Sequence, residues 1–328
     1  KILGELDIAE KRLPQDGRFF VKIGSRDIDI RLSTLPTIFG EKAVMRLLDK
    51  GKMILDIEHL TPLADTLELI KKIILRPFGM VLITGPTGSG KTTTAYTLLS
   101  LLNTAGKNLV TVEDPVEYHI KRINQVQVNP KVGVTFASAL RHILRQDPDI
   151  VMIGEIRDKE TAEIAIHAAL TGHLVISTLH TNDAVGTISR LLDMGVEPFL
   201  VSSAITCIVG QRLVRRLCKN CAAPYDATPQ MLHELGIRFP EGKTPKFFRG
   251  AGCPQCKGTG LKGRVGIYEL LLIDDDIKAL ILEKKDASAI LDAAKKKGFK
   301  TLRHQGIRTV LAGHTTVEEV LQATQAVE

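Results

Sequence analysis

Met80-Val-Leu-Ile-Thr-Gly-Pro-Thr-Gly-Ser-Gly-Lys-Thr-Thr-Thr-Ala-Tyr-Thr-Leu-Leu99 is the stretch from which the rest of this chain can be read. Val81 to Thr84 are apolar or β-branched and predict a buried strand. Gly85, Pro86, Thr87, Gly88, Ser89 and Gly90 form a loop, and Lys91 and Thr92 open a periodic apolar run that predicts a helix. This is G-x-x-x-x-G-K-[ST] in the strand-to-helix setting that the motif requires. Its glycines let successive N–H groups turn inward around a phosphate, and the helix start adds partial positive charge. Lys91 is expected on the β and γ phosphates and the Thr92 hydroxyl on Mg²⁺.

Outward from this loop, helices and apolar strands alternate. Thr66 to Leu75 reads as helix, Asn108 to Asp114 as strand, Phe136 to Arg145 as helix and Ile150 to Glu155 as strand. Thr161 to Leu170 reads as helix and His173 to His180 as strand. Buried strands alternating with helices predict an α/β fold whose parallel sheet is covered on both faces. Ligands of such sheets gather at the carboxyl ends of the strands, where Glu113, Glu155 and His180 fall. Nucleotide hydrolysis needs one carboxylate to orient or deprotonate water and another to hold the metal. Glu113 and Glu155 meet that need, and the pattern alone leaves open which serves which role. His173 and His180 are read as sharing one sheet edge.

The N-terminal part reads as a small α/β unit. Phe19 to Ile23 and Asp27 to Leu32 are strands about a Gly24-Ser25 turn, Gly40 to Leu48 is a short helix, and Asp49 to Lys52 is a hinge. Residues 274 to 328 read as helical, with Lys295, Lys296 and Lys297 on a solvated face. Two C-x₂-C pairs, Cys218 with Cys221 and Cys253 with Cys256, are 31 residues apart. They predict a structural Zn²⁺ site with four thiolates and no position left for water. The gap between the pairs predicts an inserted lobe. Cys207 lies in an apolar run and reads as an ordinary buried thiol.

The whole composition narrows the function further. With 44% hydrophobic and 25% charged residues the chain has ordinary globular make-up. The longest apolar candidate, Phe199 to Gly210, is too short to span a membrane and carries Ser202, Ser203 and Thr206. A net charge of +7 permits anionic partners, and 4% aromatic residues with no Trp argues against a base-stacking platform. The chain opens on Lys1 inside an amphipathic segment, without a start methionine or a secretory signal, and reads as the remainder of a longer one.

Four segments occur together in one order: Gly85 to Thr92, Thr111-Val-Glu-Asp-Pro-Val-Glu-Tyr118, Leu144 to Asp158, and Thr171 to Thr181. From about residue 1 to 325 the chain resembles the type II secretion and type IV pilus assembly ATPases, often called GspE and PilB. The resemblance implies a RecA-like P-loop ATPase domain over 53–328, holding a zinc lobe at 211–270 and a helical C-terminal subdomain at 271–328. The small α/β domain and hinge at 1–52 would precede it. It makes Glu113 the catalytic base of an aspartate box, Glu155 the acid that positions Mg²⁺ and water, and His173 and His180 a histidine box. Arg31 and Arg46, in matching motifs of the small domain, would contact the nucleotide phosphates. The implied protein is a cytoplasmic homo-hexamer that hydrolyses ATP to assemble pilin or pseudopilin filaments. It would meet an inner-membrane platform protein, with peripheral contact to anionic membrane possible and no nucleic acid as partner. A nucleic-acid-stimulated motor is the competing class, and a nucleotide-binding regulator with little turnover is a third.

Overall fold

The computed structural model describes residues 1–24, 26–49, 55–237 and 245–324. The chain divides into two compact units, Lys1–Ile54 and Leu55–Glu328.

The first unit is a three-stranded antiparallel sheet of β1 (Gln15–Ile23), β2 (Arg26–Thr37) and β3 (Gly40–Asp49). Ile28, Ile30 and Leu32 alternate along β2 and bury one face. No helix occurs among its described residues, which corrects the expected small α/β unit and the short helix at Gly40 to Leu48. The reason lies in the turn. Thr37 pairs with Gly40, the Thr37 hydroxyl donates to the Gly40 carbonyl at 2.6 Å, and Gly40 adopts φ +115°. That hairpin lays residues 40–49 along β2 with ten paired positions, and a waiting partner strand outweighs local helix propensity. Of the expected hinge, Lys50 to Lys52 lie outside the described residues.

The second unit opens with α1 (Ala64–Ile74), β4 (Gly79–Thr84), α2 (Lys91–Leu102), β5 (Leu109–Glu113), β6 (Ile123–Gln127), α3 (Phe136–Ile143), β7 (Ile150–Ile153), α4 (Lys159–Leu170), β8 (Leu174–Leu179) and α5 (Ala184–Asp193). These are the alternating elements of the sequence reading, with β6 and α5 added. Side chains fix where the helices start: Thr135 and Ser138 form a reciprocal capping box at α3, while Asp158 and Asp183 each accept a backbone N–H in the first turn of α4 and α5. The apolar run after residue 197 splits into α6 (Pro198–Ala204) and β9 (Ile205–Leu217).

Next come β10 (Ala222–Asp226), α7 (Pro229–Leu235), β11 (Lys246–Gly250) and β12 (Leu261–Leu272). Four helices close the chain: α8 (Asp275–Leu282), α9 (Ala287–Lys296), α10 (Leu302–Leu311) and α11 (Val317–Thr324). The main sheet runs β12-β9-β4-β8-β7-β5-β6, parallel except for β12. It claims residues 205–217 and 261–272, so the inserted lobe is confined to 218–260 rather than 211–270. β10 and β11 form its hairpin, and Leu235 and Phe247 share one core with Val310, Val317 and Val320 of α10 and α11. The larger core under the sheet joins β4, β5, β7, β8 and β9 to α3 to α6, α8 and α9.

Candidate active site

β4 is buried at every position and delivers the chain into the phosphate loop at its carboxyl end. Gly85, Gly88 and Gly90 all have positive φ, and a Cβ on Gly85 would lie 2.5 Å from the Gln211 carbonyl oxygen. A Cβ on Gly88 would meet nothing within 4 Å, because that position faces the open cradle. The loop is braced from behind by β9: the Gln211 side-chain amide donates to the Ser89 carbonyl at 2.6 Å. Among the described residues the buried Ser89 hydroxyl and Gln211 side-chain oxygen have no hydrogen-bond partner, as suits a loop shaped to receive a ligand. Lys91 folds across the loop, donating to the Gly85 and Pro86 carbonyls at 2.8 and 3.2 Å. Burial lowers its pKa, with the Glu155 charge opposing.

A cleft of about 360 Å³ opens over the loop, lined by Thr87, Gly88, Lys91, Thr92, Glu113, Glu155, His180 and residues between them. Glu113 ends β5 and is almost fully buried. Its carboxylate accepts from the Tyr96 hydroxyl, from Thr111 Oγ1 at 2.6 Å and from Gln125 Nε2 at 3.1 Å. Glu155 follows β7 across Gly154, accepts from Arg157, and lies 3.1 Å from His180 Nε2. Arg157 also reaches Asp114 at 3.5 Å, so one guanidinium joins the two acidic strand ends. His180 Nδ1 is 3.4 Å from Lys91 Nζ.

His173 is not part of this arrangement. It precedes β8, whose first residue pairs with Gly79 and whose last pairs with Thr84 beside the loop. One strand length, roughly 20 Å, therefore separates the two histidines. The expectation of a shared sheet edge is corrected, because six intervening residues in a strand put its neighbours at opposite ends. His173 Nδ1 instead lies 2.9 Å from the Ala168 carbonyl oxygen.

Within the first unit, Arg31 stands opposite Arg18 on β1 and opposite Arg46 on β3, so the three share a face. Arg18 is tied to the fully buried Asp29 at 2.9 and 3.0 Å. Sequence reading missed Arg18, which needs the strand register to be seen, and also Tyr96, Gln125 and Gln211. The Arg264 side chain, brought in by β12, also lines the cleft.

The four paired cysteines come together at the base of the lobe. Cys218 and Cys253 Sγ are 3.7 Å apart, Cys221 and Cys256 3.8 Å, and Cys253 and Cys256 3.6 Å. Four thiolates bound tetrahedrally at about 2.3 Å from Zn²⁺ would lie about 3.8 Å apart, so the donor set fits that ion. Backbone N–H groups of Cys253 and Gly260 donate to Cys256 Sγ at 3.1 and 3.2 Å, the outer hydrogen bonding that bound thiolates require. Cys207 is buried apart from them, its thiol pKa pushed up to about 12 by burial.

A family model described as "Type II/IV secretion system protein" matches residues 1–322. The chain belongs to that family. Among relatives of this secretion-system chain, the "Type IV pilus assembly ATPase PilB" of Thermus thermophilus is 55% identical over 324 residues, covering 99% of this chain and 36% of that protein. The "Type II secretion system protein E" of Pectobacterium carotovorum is 51% identical over 325 residues, covering 99% and 64%. This chain thus spans between about a third and just under two thirds of the length of these relatives. In structure it is similar to the pilus retraction motor PilT solved with bound ADP, with TM-score 0.68, 28% identity and coverage of 96% of this chain and 79% of that one.

Proposed function

We propose that the chain is the motor portion of an ATPase that hydrolyses ATP to drive assembly of pilin or pseudopilin filaments. The observation that carries the reading is the cleft in which a glycine cradle, Lys91 and two strand-end carboxylates face one another. The names of the relatives in pilus assembly and type II secretion support the filament, and the ADP bound to PilT supports the nucleotide.

In this reading the loop N–H groups and Lys91 bind the phosphates, and Thr92 and Glu155 hold Mg²⁺, which when bound neutralises phosphate charge. Glu113 takes the proton of the attacking water and His180 holds Glu155 in place. Arg31 and Arg46, which stand opposite one another on neighbouring strands, bring a second cationic surface to the phosphates. Cys218, Cys221, Cys253 and Cys256 hold Zn²⁺ as a structural ion. The working form is a homo-hexamer at the cytoplasmic side of the inner membrane, docked on a platform protein. Among the described residues no helix is long and apolar enough to cross a membrane, which suits attachment through partners.

Lys91→Ala tests the reading: it should abolish Mg²⁺-dependent ATP hydrolysis and weaken nucleotide binding. Parent turnover in that variant would overturn it. Stimulation of the parent by DNA, with none by anionic vesicles carrying the platform protein, would favour a nucleic-acid motor instead.

A further inference from the structure

We infer that Tyr96 is the positioning residue that aims Glu113 at the attacking water, an inference that rests on Glu113 acting as the general base. Tyr96 lies on α2, the helix that begins with Lys91, and is fully buried. It is outside the residues lining the cleft, so it acts through another group. Its hydroxyl donates to Glu113 Oε2 and in turn accepts the backbone N–H groups of Glu117 at 3.1 Å and Tyr118 at 3.5 Å.

The carboxylate has about four lone-pair sites in all. Oε1 uses two, for Thr111 and Gln125. Oε2 uses one, for Tyr96. Counted over the described residues, the remaining lone pair is therefore on Oε2, and the group that sets the direction of that oxygen is the Tyr96 hydroxyl. When the base acts, the water's O–H bond breaks and its proton goes to this lone pair, while the water oxygen bonds to the γ phosphorus and the bond from that phosphorus to the bridging oxygen breaks, its electron pair leaving with ADP. Tyr96 keeps its own proton throughout, because burial and the adjoining carboxylate raise its pKa. The hydrogen bond from Tyr96 also ties Oε2 to the phosphate-loop helix, and acceptors misplaced by about 1 Å lose on the order of 10²-fold in rate.

Tyr96→Phe keeps the ring and removes only the hydroxyl. Hydrolysis and binding of a fluorescent ATP analogue would be measured in the parent, Tyr96→Phe, Glu113→Gln and the double variant. Tyr96→Phe is expected to lower kcat about ten- to a hundredfold with nucleotide affinity and KM within about twofold of the parent. In the Glu113→Gln background it should cost nothing further, since the lone pair it aims is gone. A parent kcat in Tyr96→Phe beside an inactive Glu113→Gln overturns the inference and leaves Glu113 as base. An active Glu113→Gln overturns the base itself. Equal losses from Tyr96→Phe in both backgrounds, or a loss of affinity matching the loss of rate, makes the tyrosine only part of the scaffold. Site-specific 3-fluorotyrosine at position 96 keeps the packing whole and sharpens the hydroxyl as donor, so it serves even where Tyr96→Phe fails to fold: kcat must move in the parent background and hold still beside Glu113→Gln.

Discussion

Glu113 and Glu269 show how two buried carboxylates of one chain come to different ends. Glu113 has three side-chain donors and faces the cleft. Glu113→Gln is expected to bind ATP and Mg²⁺ as the parent does while hydrolysing about 10² to 10⁴ times more slowly, measured by single turnover. Glu269, on β12, accepts the N–H groups of Ala184 and Leu302, at 2.6 and 2.9 Å, where α5 and α10 begin. Burial pushes its pKa up to about 7, with those two backbone bonds pulling the other way. An acid whose folded pKa exceeds its unfolded value holds its proton more tightly when folded, so stability falls as pH rises from about 4.5 to about 7 and the loss is complete above. The full span is about 3 kcal/mol. Glu269→Gln should flatten the denaturation midpoint over that window; an unchanged slope would place the titration elsewhere. Of these residues Glu113 was legible because it ends an apolar strand. Glu269 was not, because nothing in Tyr268-Glu269-Leu270 tells that two helix starts converge on it.

Elements with one period and one setting were the most legible. β4, β5, β7 and β8 are buried throughout and read directly as apolar runs, and the helices between them follow. β3 misled because nine residues satisfy either period, and its pairing is decided by a hairpin partner. β9 and β12 were overlooked because they lie either side of the cysteine pairs, in a region read as lobe. Both pairs sit where that antiparallel ribbon leaves the main sheet, and the backbone of Cys218 donates to the Gly260 carbonyl at 2.9 Å. Metal analysis should return one Zn²⁺ per chain, and Cys253→Ser should loosen the lobe, since binding at such sites is worth on the order of 10 kcal/mol of folding free energy in small zinc peptides. Faster proteolysis within 218–260 would register that loosening; a metal-free protein with an intact lobe would remove the site.

On the scale of the molecule, Arg31 and Arg46 belong to one compact unit and the phosphate loop to the other. Their proposed role makes closure of the units depend on the nucleotide, because ATP favours whichever arrangement gives it more contacts. Arg31→Ala and Arg46→Ala should depress hydrolysis and leave the zinc content unchanged, and a spectroscopic ruler between the units should shorten with a non-hydrolysable analogue. Identical distance distributions with and without it would end the closing mechanism. The second unit carries a different consequence. Among the described residues, Phe247 and Leu235 of the lobe share one core with α10 and α11, and Leu302 of α10 is buried with Val214 and Val265 of β9 and β12. Those helices and the cysteine ribbon are therefore expected to melt with the strand beside the phosphate loop. Differential scanning calorimetry of residues 55–328 should show a single endotherm, and chelating the metal should lower its midpoint as a whole, without splitting off an early shoulder. If the cysteines hold Zn²⁺ as proposed, a cell short of zinc would then lose the proposed motor as one piece, nucleotide site included.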